Sequence, residues 1–391
     1  MTDTADVVVV GLGAVGSATL YRLAKNGVRA VGIDRFDPPH AHGSTHGGSR
    51  ITRLAVAEGD AYVPLARRSH AIWRELEAET GETLLRELGL LIIAEGDGAP
   101  SHGKPAFLGA TIDVARRHAI PHEILDSAEI RRRYPQFNVR STDRAFFEPS
   151  AGVVFPEKGV AVQLRLARQH GAVVRPNEVV LGVEKHGDGV LVTTDKGSIA
   201  AGRVILTAGA WLPGLAGGIV AQHVQVHRQV FYWFEADRPE LYAPEGCPPF
   251  IWMYGATEAD YLYGFPLLPG EPGVKLGTEE YTGHTEPERI DRAVSDAEVR
   301  TVLDRHVQGR LTGLSRRLGK STTCLYSVTP DAGFIIDRLA EDGTVLAASC
   351  CSGHGFKHSP ALGEAIAAAA VAPAHAAVPE FGLARFGAVA A

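Results

Sequence analysis

Four consecutive valines, Val7–Val10, run up to Gly11 without a polar break, and such a β-branched run predicts a strand buried on both faces. After Gly11-Leu12-Gly13-Ala14-Val15-Gly16 the spacing turns helical to about Asn26. Leu20 and Leu23 share its apolar side, and Gly27 stands where a helix end favours a left-handed residue. Val28–Ile33 reads as a second strand, ending at Asp34. The chain therefore opens on strand, glycine turn, helix and strand.

A loop rich in Pro, Gly, His and Ser follows over Asp37–Arg53, then a helix over Tyr62–Glu79 with Leu65, Ile72, Trp73 and Leu76 at helical spacing. Leu88–Ala94 reads as a strand, and Asp126 three residues before Glu129 has the spacing of a capped helix start. Val173–Ile199 alternates apolar and polar positions around turns at Gly187-Asp188-Gly189 and Lys196-Gly197, which predicts an antiparallel meander. Arg203–Thr207 is a further buried strand. Residues 215–315, rich in aromatics, Pro and charge, predict a second layer of sheet with helices. Phe334–Asp337 and Thr344–Ser349 read as strands and Ser359–Val371 as a helix. With no repeat and no low-complexity linker between these parts, two interleaved domains are expected.

Composition narrows the partners. At 391 residues the length suits two domains, and 45% apolar with 21% charged residues describes a globular chain. Lys plus Arg number 39 against 45 Asp plus Glu, so no basic excess exists to neutralise phosphates; neither nucleic acid nor a membrane surface is an expected partner. Cys247, Cys324, Cys350 and Cys351 form no C-x-x-C pair and no disulfide framework. No leader-like start and no membrane-length apolar span is seen, and a cytoplasmic protein is the expectation. His40, His42 and His46 lack the Cys or carboxylate that ligand spacing demands, so no metal is expected.

Three segments carry chemistry. In Gly11-x-Gly13-x-x-Gly16 the first two glycines permit a tight turn and close approach to a pyrophosphate, the third permits helix–strand packing, and the helix start supplies N–H donors. Asp34, 18 residues past Gly16, is placed to accept ribose hydroxyls; an acid there disfavours NADP and leaves FAD and NAD open. The loop Gly43–Arg53 offers small residues, the hydroxyls of Ser44 and Thr45, and two cations, Arg50 and Arg53; a solvated surface loop is the alternative. Ser352-Gly353-His354-Gly355-Phe356-Lys357 opens the last helix with two glycines and a cation, a second place for a ligand against helix N–H groups.

Together these segments resemble the monomeric sarcosine oxidase and N-methyltryptophan oxidase family of flavin amine oxidases. The further markers are Asp37-Pro38-Pro39-His40, Gly43-Ser44-x-His46-Gly47-x-x-Arg50-x-x-Arg53, Tyr263-Gly264-Phe265-Pro266, Lys275-Leu276-Gly277 and Cys324-x-Tyr326-x-x-x-Pro330-Asp331. The resemblance runs nearly end to end. It implies an α/β (α+β overall) fold: a Rossmann-like FAD-binding domain on 1–85, 145–215 and 320–391, interleaved with a substrate domain on 86–144 and 216–319 built on a mainly antiparallel sheet. It implies FAD joined through a thioether to Cys324 and held by Gly11, Gly13, Ala14, Val15, Gly16, Asp34, Arg35, Ser44, Thr45, Arg50, Gly353, Gly355, Phe356 and Lys357. Arg53 and Lys357 would hold a substrate carboxylate between the aromatic walls Tyr263, Phe265 and Tyr326. Lys275 would promote reaction with O2 to give hydrogen peroxide, while His46 and Arg50 tune the flavin. The partners so implied are a small amino acid or amine and O2, with the chain a monomer.

Charge supplies a mechanism. Hydride loss from a C–N bond needs the neutral amine, and a cation about 4 Å from an ammonium disfavours it by about 4 kcal/mol at an effective dielectric of 20. Arg53, Lys357 and Lys275 are the expected cations. Glu279 departs from the family, whose sarcosine oxidases carry histidine there; an anion favours the ammonium and attracts a polyhydroxylated or cationic substrate. Lysine followed four residues later by glutamate also resembles the fructosyl amino acid oxidases, which stand as one alternative. A flavin dehydrogenase with a non-oxygen acceptor is another. An NAD-dependent dehydrogenase leaves Cys324 and the last glycine motif unexplained, and a non-catalytic flavin module predicts no bleaching by any amine.

Overall fold

The computed structural model describes residues 3–279, 281, 283–340, 342–372 and 378–387. The valine run forms the middle of a sheet: Asp3–Val10 lies parallel to Gly197–Leu206 on one side and Ala30–Ile33 on the other. Val345–Ser349 continues the parallel order beside the far half of Gly197–Leu206. Val8 and Val9 are fully buried because both faces are covered. One face packs under the helix Ala14–Lys25, which itself lies against the helices Pro156–Gln169 and Ser359–Val371. The opposite face gathers Val8 and Val10 with Leu212 and Val220.

The antiparallel meander is present as Val180–His186, Gly189–Thr194 and Gly197–Leu206. Val173–Arg175, expected as its first arm, instead pairs in parallel with Ala30–Ile33. Three residues of alternation do not choose a neighbour. The choice is made by the free edge of Ala30–Ile33, and the left-handed Asn177 (φ +55) then breaks the chain before the meander begins.

The second layer is an eight-stranded sheet in the order Leu314–Val328, Gln225–Ala236, Val274–Gly277, Tyr261–Gly264, Phe250–Met253, Leu90–Glu95, Asp143–Glu148 and Glu123–Leu125. Neighbours run antiparallel except Phe250–Met253 beside Leu90–Glu95. Alternation along these strands places Phe231 and Trp233, Tyr261 and Tyr263, and Cys324 and Tyr326 in one buried cluster with Phe265, and Lys275 Nζ lies against the Phe231, Trp233 and Phe265 rings. A third, small sheet joins Arg50–Thr52, Gly152–Val154 and Leu85–Glu87. Its successive residues Val153 and Val154 feed different cores, so this strand stitches the two layers together. No helix among the described residues is long and apolar enough to cross a membrane.

Candidate active site

The parallel strands of the first sheet end at Val10, Ile33, Leu206 and Ser349, so Gly11, Asp34, Thr207 and Cys350 stand at the edge where open α/β sheets bind ligands. A cavity of about 400 Å³ lies between that edge and the aromatic face of the second sheet.

At one end the glycine turn is tight. Gly11 has φ +88, and a Cβ there would sit 2.7 Å from Thr207 and Ala208 backbone atoms; one on Gly16 would sit 1.8 Å from the Gly11 carbonyl oxygen. Only glycine lets the helix start this close to the strand, so that Gly13, Ala14 and Val15 at its N-terminus line the cavity. Thr45 Oγ1 accepts from Ala14 N–H at 3.3 Å. The buried Asp34 carboxylate accepts from Leu12 N–H (2.7 Å) and Phe36 N–H (2.9 Å), which sets the turn's shape. Arg35 lies 4.8 Å over the Trp211 ring and 3.0 Å from Glu288.

In the middle, the arginine loop meets the second sheet. Arg50 donates to the carbonyls of Ser44 and Ser49, both at 2.8 Å, lies 4.9 Å over Phe231, and brings a guanidinium nitrogen 3.9 Å from Cys324 Sγ. Burial pushes the Cys324 thiol up to about 11, against the pull of Arg50. Gly47 and Gly48, both left-handed, donate their N–H groups to the Glu157 carboxylate at 2.6 and 3.0 Å. Their turn points the Gly47 and Ser49 carbonyls at Lys275 Nζ (2.7 and 2.8 Å), with Ser49 Oγ at 3.3 Å. Three acceptors suit an ammonium, yet burial and then Arg50 drive the Lys275 amine well below its ordinary range.

At the far end Arg53 and Lys357 converge as expected, but on an anion of the protein. Glu58, which no sequence motif marks, accepts from Arg53 Nη2 with both oxygens at 3.0 and 2.9 Å and has Lys357 Nζ at 3.6 Å. Burial opposes the charge on Glu58, but Arg53 and then Lys357 hold its carboxyl well below the usual range. Lys357 donates to the His354 carbonyl at 2.8 Å, and burial lowers it to about 8. His102, likewise unmarked, stands 3.3 Å from Glu58 and 2.9 Å from Glu279. Glu58 thus adds a second carboxylate to the expected Glu279, with His102 between them. No motif pointed to either residue; Glu58 follows Arg53 at no recognisable spacing, and His102 tips an unremarkable glycine loop.

Tyr263 and Phe265 meet edge to face at 6.2 Å, and burial pushes the phenols of Tyr263 and Tyr326 upward. Tyr263 has its place because Gly277 opposite carries no side chain; a Cβ there would lie 2.4 Å from the ring. In the last glycine motif a Cβ on Gly355 would meet the Cys350 carbonyl oxygen at 1.7 Å, and Phe356 stacks on Trp73 at 6.0 Å. Every expected site residue lines the cavity except three. Cys324 lies just behind the wall, its Sγ 3.9 Å from Arg50 and 3.5 Å from the Ser44 carbonyl oxygen, both of which line it. Gly16 packs helix against strand, and the buried His46, whose Nε2 has no partner, is lowered by burial and Arg50 to about 3.

Comparison with known proteins follows the same lines. The profile of the FAD dependent oxidoreductase family, DAO, matches residues 6–369. Monomeric sarcosine oxidase of Streptomyces avermitilis is 38% identical over 370 residues, covering 94% of this chain and 94% of the relative. N-methyl-L-tryptophan oxidase of Yersinia pestis is 34% identical over 388 residues, covering 97% and 99%. Among solved structures, the open form of NikD, an unusual amino acid oxidase essential for nikkomycin biosynthesis, matches with a TM-score of 0.82 at 24% identity over 95% of each chain. At that identity the likeness bears on the fold.

Proposed function

The chain belongs to the FAD dependent oxidoreductase family, and from that premise we propose that it is an oxidase of N-substituted or secondary amino acids, with FAD attached through Cys324 and O2 as acceptor. The observation that carries this reading is a single cavity lined by Arg53 and Lys357 at one end, Lys275 and Arg50 at its middle, and the glycine turn at the other end, with Cys324 Sγ 3.9 Å behind Arg50.

The cavity fits FAD on its own features. The close packing that Gly11 and Gly16 permit brings the helix start at Gly13, Ala14 and Val15 to the cavity, where a pyrophosphate would sit, and Asp34 lines the same end, where a ribose would reach it. Bound FAD would take two electrons as hydride from the C–H bond beside the substrate nitrogen and yield them to O2, giving hydrogen peroxide. Arg53 and Lys357 bind the carboxylate, and Tyr263, Phe265 and Tyr326 wall the amine from water. Lys357 is the cation that Glu58 pairs least closely, so it does most to disfavour the ammonium and leave the nitrogen lone pair free. The resulting imine hydrolyses to amine and carbonyl product. Arg50, beside Cys324 Sγ, favours the thiolate that thioether formation needs. Lys275 offers its N–H groups where charge develops on oxygen. The relatives' names support a monomer acting on small N-methyl amino acids, and the four free thiols accord with a cytoplasmic location.

Glu279 on the cavity wall favours a second reading, glycated amino acids, whose hydroxyls would donate to it. An anaerobic titration of the purified yellow protein with sarcosine, N-methyl-L-tryptophan, L-proline and a fructosyl amino acid tests both. Bleaching by an N-methyl amino acid, with one peroxide formed per turnover on admitting air, is the expected result. Bleaching by the fructosyl compound alone selects the second reading, and bleaching without peroxide selects another electron acceptor.

A further inference from the structure

The loop between Leu90–Glu95 and the helix Phe107–Arg117 enters the cavity with one side chain. Ser101 and Lys104 exchange N–H···O=C bonds of 2.9 Å in both directions, closing a tight turn with His102 and Gly103 at its tip. His102 has φ +48, a conformation uncommon outside glycine but tolerated by histidine and asparagine. Gly103, with φ +72, presses the turn on Asp331, whose carbonyl oxygen lies 3.2 Å from where a Cβ would be.

This turn drives a buried imidazole between two carboxylates remote in sequence. Nδ1 is 3.3 Å from Glu58 Oε1 and Nε2 is 2.9 Å from Glu279 Oε2, at angles short of hydrogen bonds, so the contacts are ion pairs. An imidazole flanked by carboxylates on both nitrogens is suited only as a cation, with N–H on each side. Around it stand His354, its ring 5.3 Å away and held neutral by burial, and Tyr281, whose hydroxyl donates to Glu279 at 3.1 Å. Arg53 and Lys357 lie beyond Glu58, and Phe107 meets the ring edge at 5.7 Å.

We propose that His102 is a positioning residue for substrate binding: a cation that ties down Glu58 and Glu279 and so leaves Arg53 and Lys357 available to an incoming carboxylate. The inference rests on Arg53 and Lys357 being the carboxylate anchor. With His102 charged, three cations face two carboxylates, and one positive charge is left over for the ligand. With His102 neutral the cluster has no surplus, and the ligand competes with Glu58 for the same two cations. Both effects weaken anion binding. Burial opposes the charge on His102, but Glu279 and Glu58 outweigh it and raise the imidazole to about 9, one step above Lys357 at about 8.

The test is binding of acetate, which neither titrates in this range nor is oxidised, to the flavin-loaded protein between pH 6.5 and 10, read from the flavin absorbance. In the wild type, affinity should fall in two steps, near pH 8 and near pH 9. His102→Asn, which suits the left-handed backbone, should bind acetate about tenfold more weakly at pH 7, the effect of one lost nearby charge, and keep only the step near pH 8. Glu279→Gln should retain both steps with the upper one moved down. A step near pH 9 surviving in His102→Asn, or its acetate affinity at pH 7 unchanged, overturns the proposal. If His102→Asn fails to load flavin, an upper step unmoved in Glu279→Gln overturns it instead. Acetate that perturbs the wild-type flavin at no pH overturns the anchor, and this inference with it.

Discussion

At the scale of single residues, the site is a set of side chains whose charge burial works against and whose neighbours decide the outcome. Cys324 is the simplest case. Its buried thiol has one guanidinium beside it, and Cys324→Ser should release all flavin to the supernatant on acid precipitation, while the wild-type pellet stays yellow. Lys275 meets two loop carbonyls and a hydroxyl but, among the described residues, no carboxylate, and Lys275→Met should slow reoxidation by O2 on the order of 100-fold and flavin reduction much less, as stopped-flow traces would separate. Arg53→Ala leaves Glu58 with one fewer cation in a buried place. It should raise KM for carboxylate substrates on the order of 30-fold or more, and Lys357→Ala should do so less, with simple amines affected little by either. Equal losses for amines lacking a carboxylate would remove both residues from that role. Cys324, Arg53, Lys275 and Lys357 stand in motifs that can be read along the chain. Glu58 and His102 do not, because a counter-ion needs only to arrive from somewhere, and no spacing rule constrains where.

At the scale of elements, local pattern predicted more than neighbours. The helix expected over Tyr62–Glu79 is Tyr62–Thr80, the one over Ser359–Val371 has those bounds, and Gly27 is left-handed after Ala14–Lys25. These follow from 3.6-residue periodicity and from glycine's freedom, both carried by adjacent residues. Asp126 caps its helix by accepting from Glu129 N–H at 2.8 Å, as its spacing predicts. Val173–Arg175 differed because strand partners are chosen across the chain. Gly16 belongs to this scale rather than to the cavity wall. Gly16→Ala forces a Cβ against the Gly11 carbonyl and Thr207 Oγ1, and should lower stability by about 1–3 kcal/mol together with flavin content. Thermal unfolding and the ratio of flavin to protein absorbance would measure both; unchanged values would show that the turn yields.

At the scale of the whole molecule, the buried histidines set a common response to acid. His46 and His354 are lowered to about 3, and His70 and His306 to about 4, each chiefly by burial. An unfolded chain takes up these protons near pH 6.5 while the folded one does not, so stability is full above that value and falls as pH drops toward 4. His102 runs the other way: raised to about 9, it contributes below pH 6.5 and loses that contribution as pH rises through 9. The melting temperature should therefore fall steadily from pH 6.5 to 4.5, before most carboxylates titrate. A melting temperature flat across that interval would mean that these imidazoles are reached by water.

The chain's own order determined the elements, the glycine turn with its acidic partner 18 residues on, and the ordered motifs that placed it in its family. Each depends on residues close together, where backbone geometry and helical or strand period leave few choices. Folding alone decided which strands became neighbours, which residues reached the cavity, and how its charges balance. Burial and Coulomb interaction act through space, so Glu58, His102 and Glu279, remote from one another along the chain, form one cluster only once the two layers close.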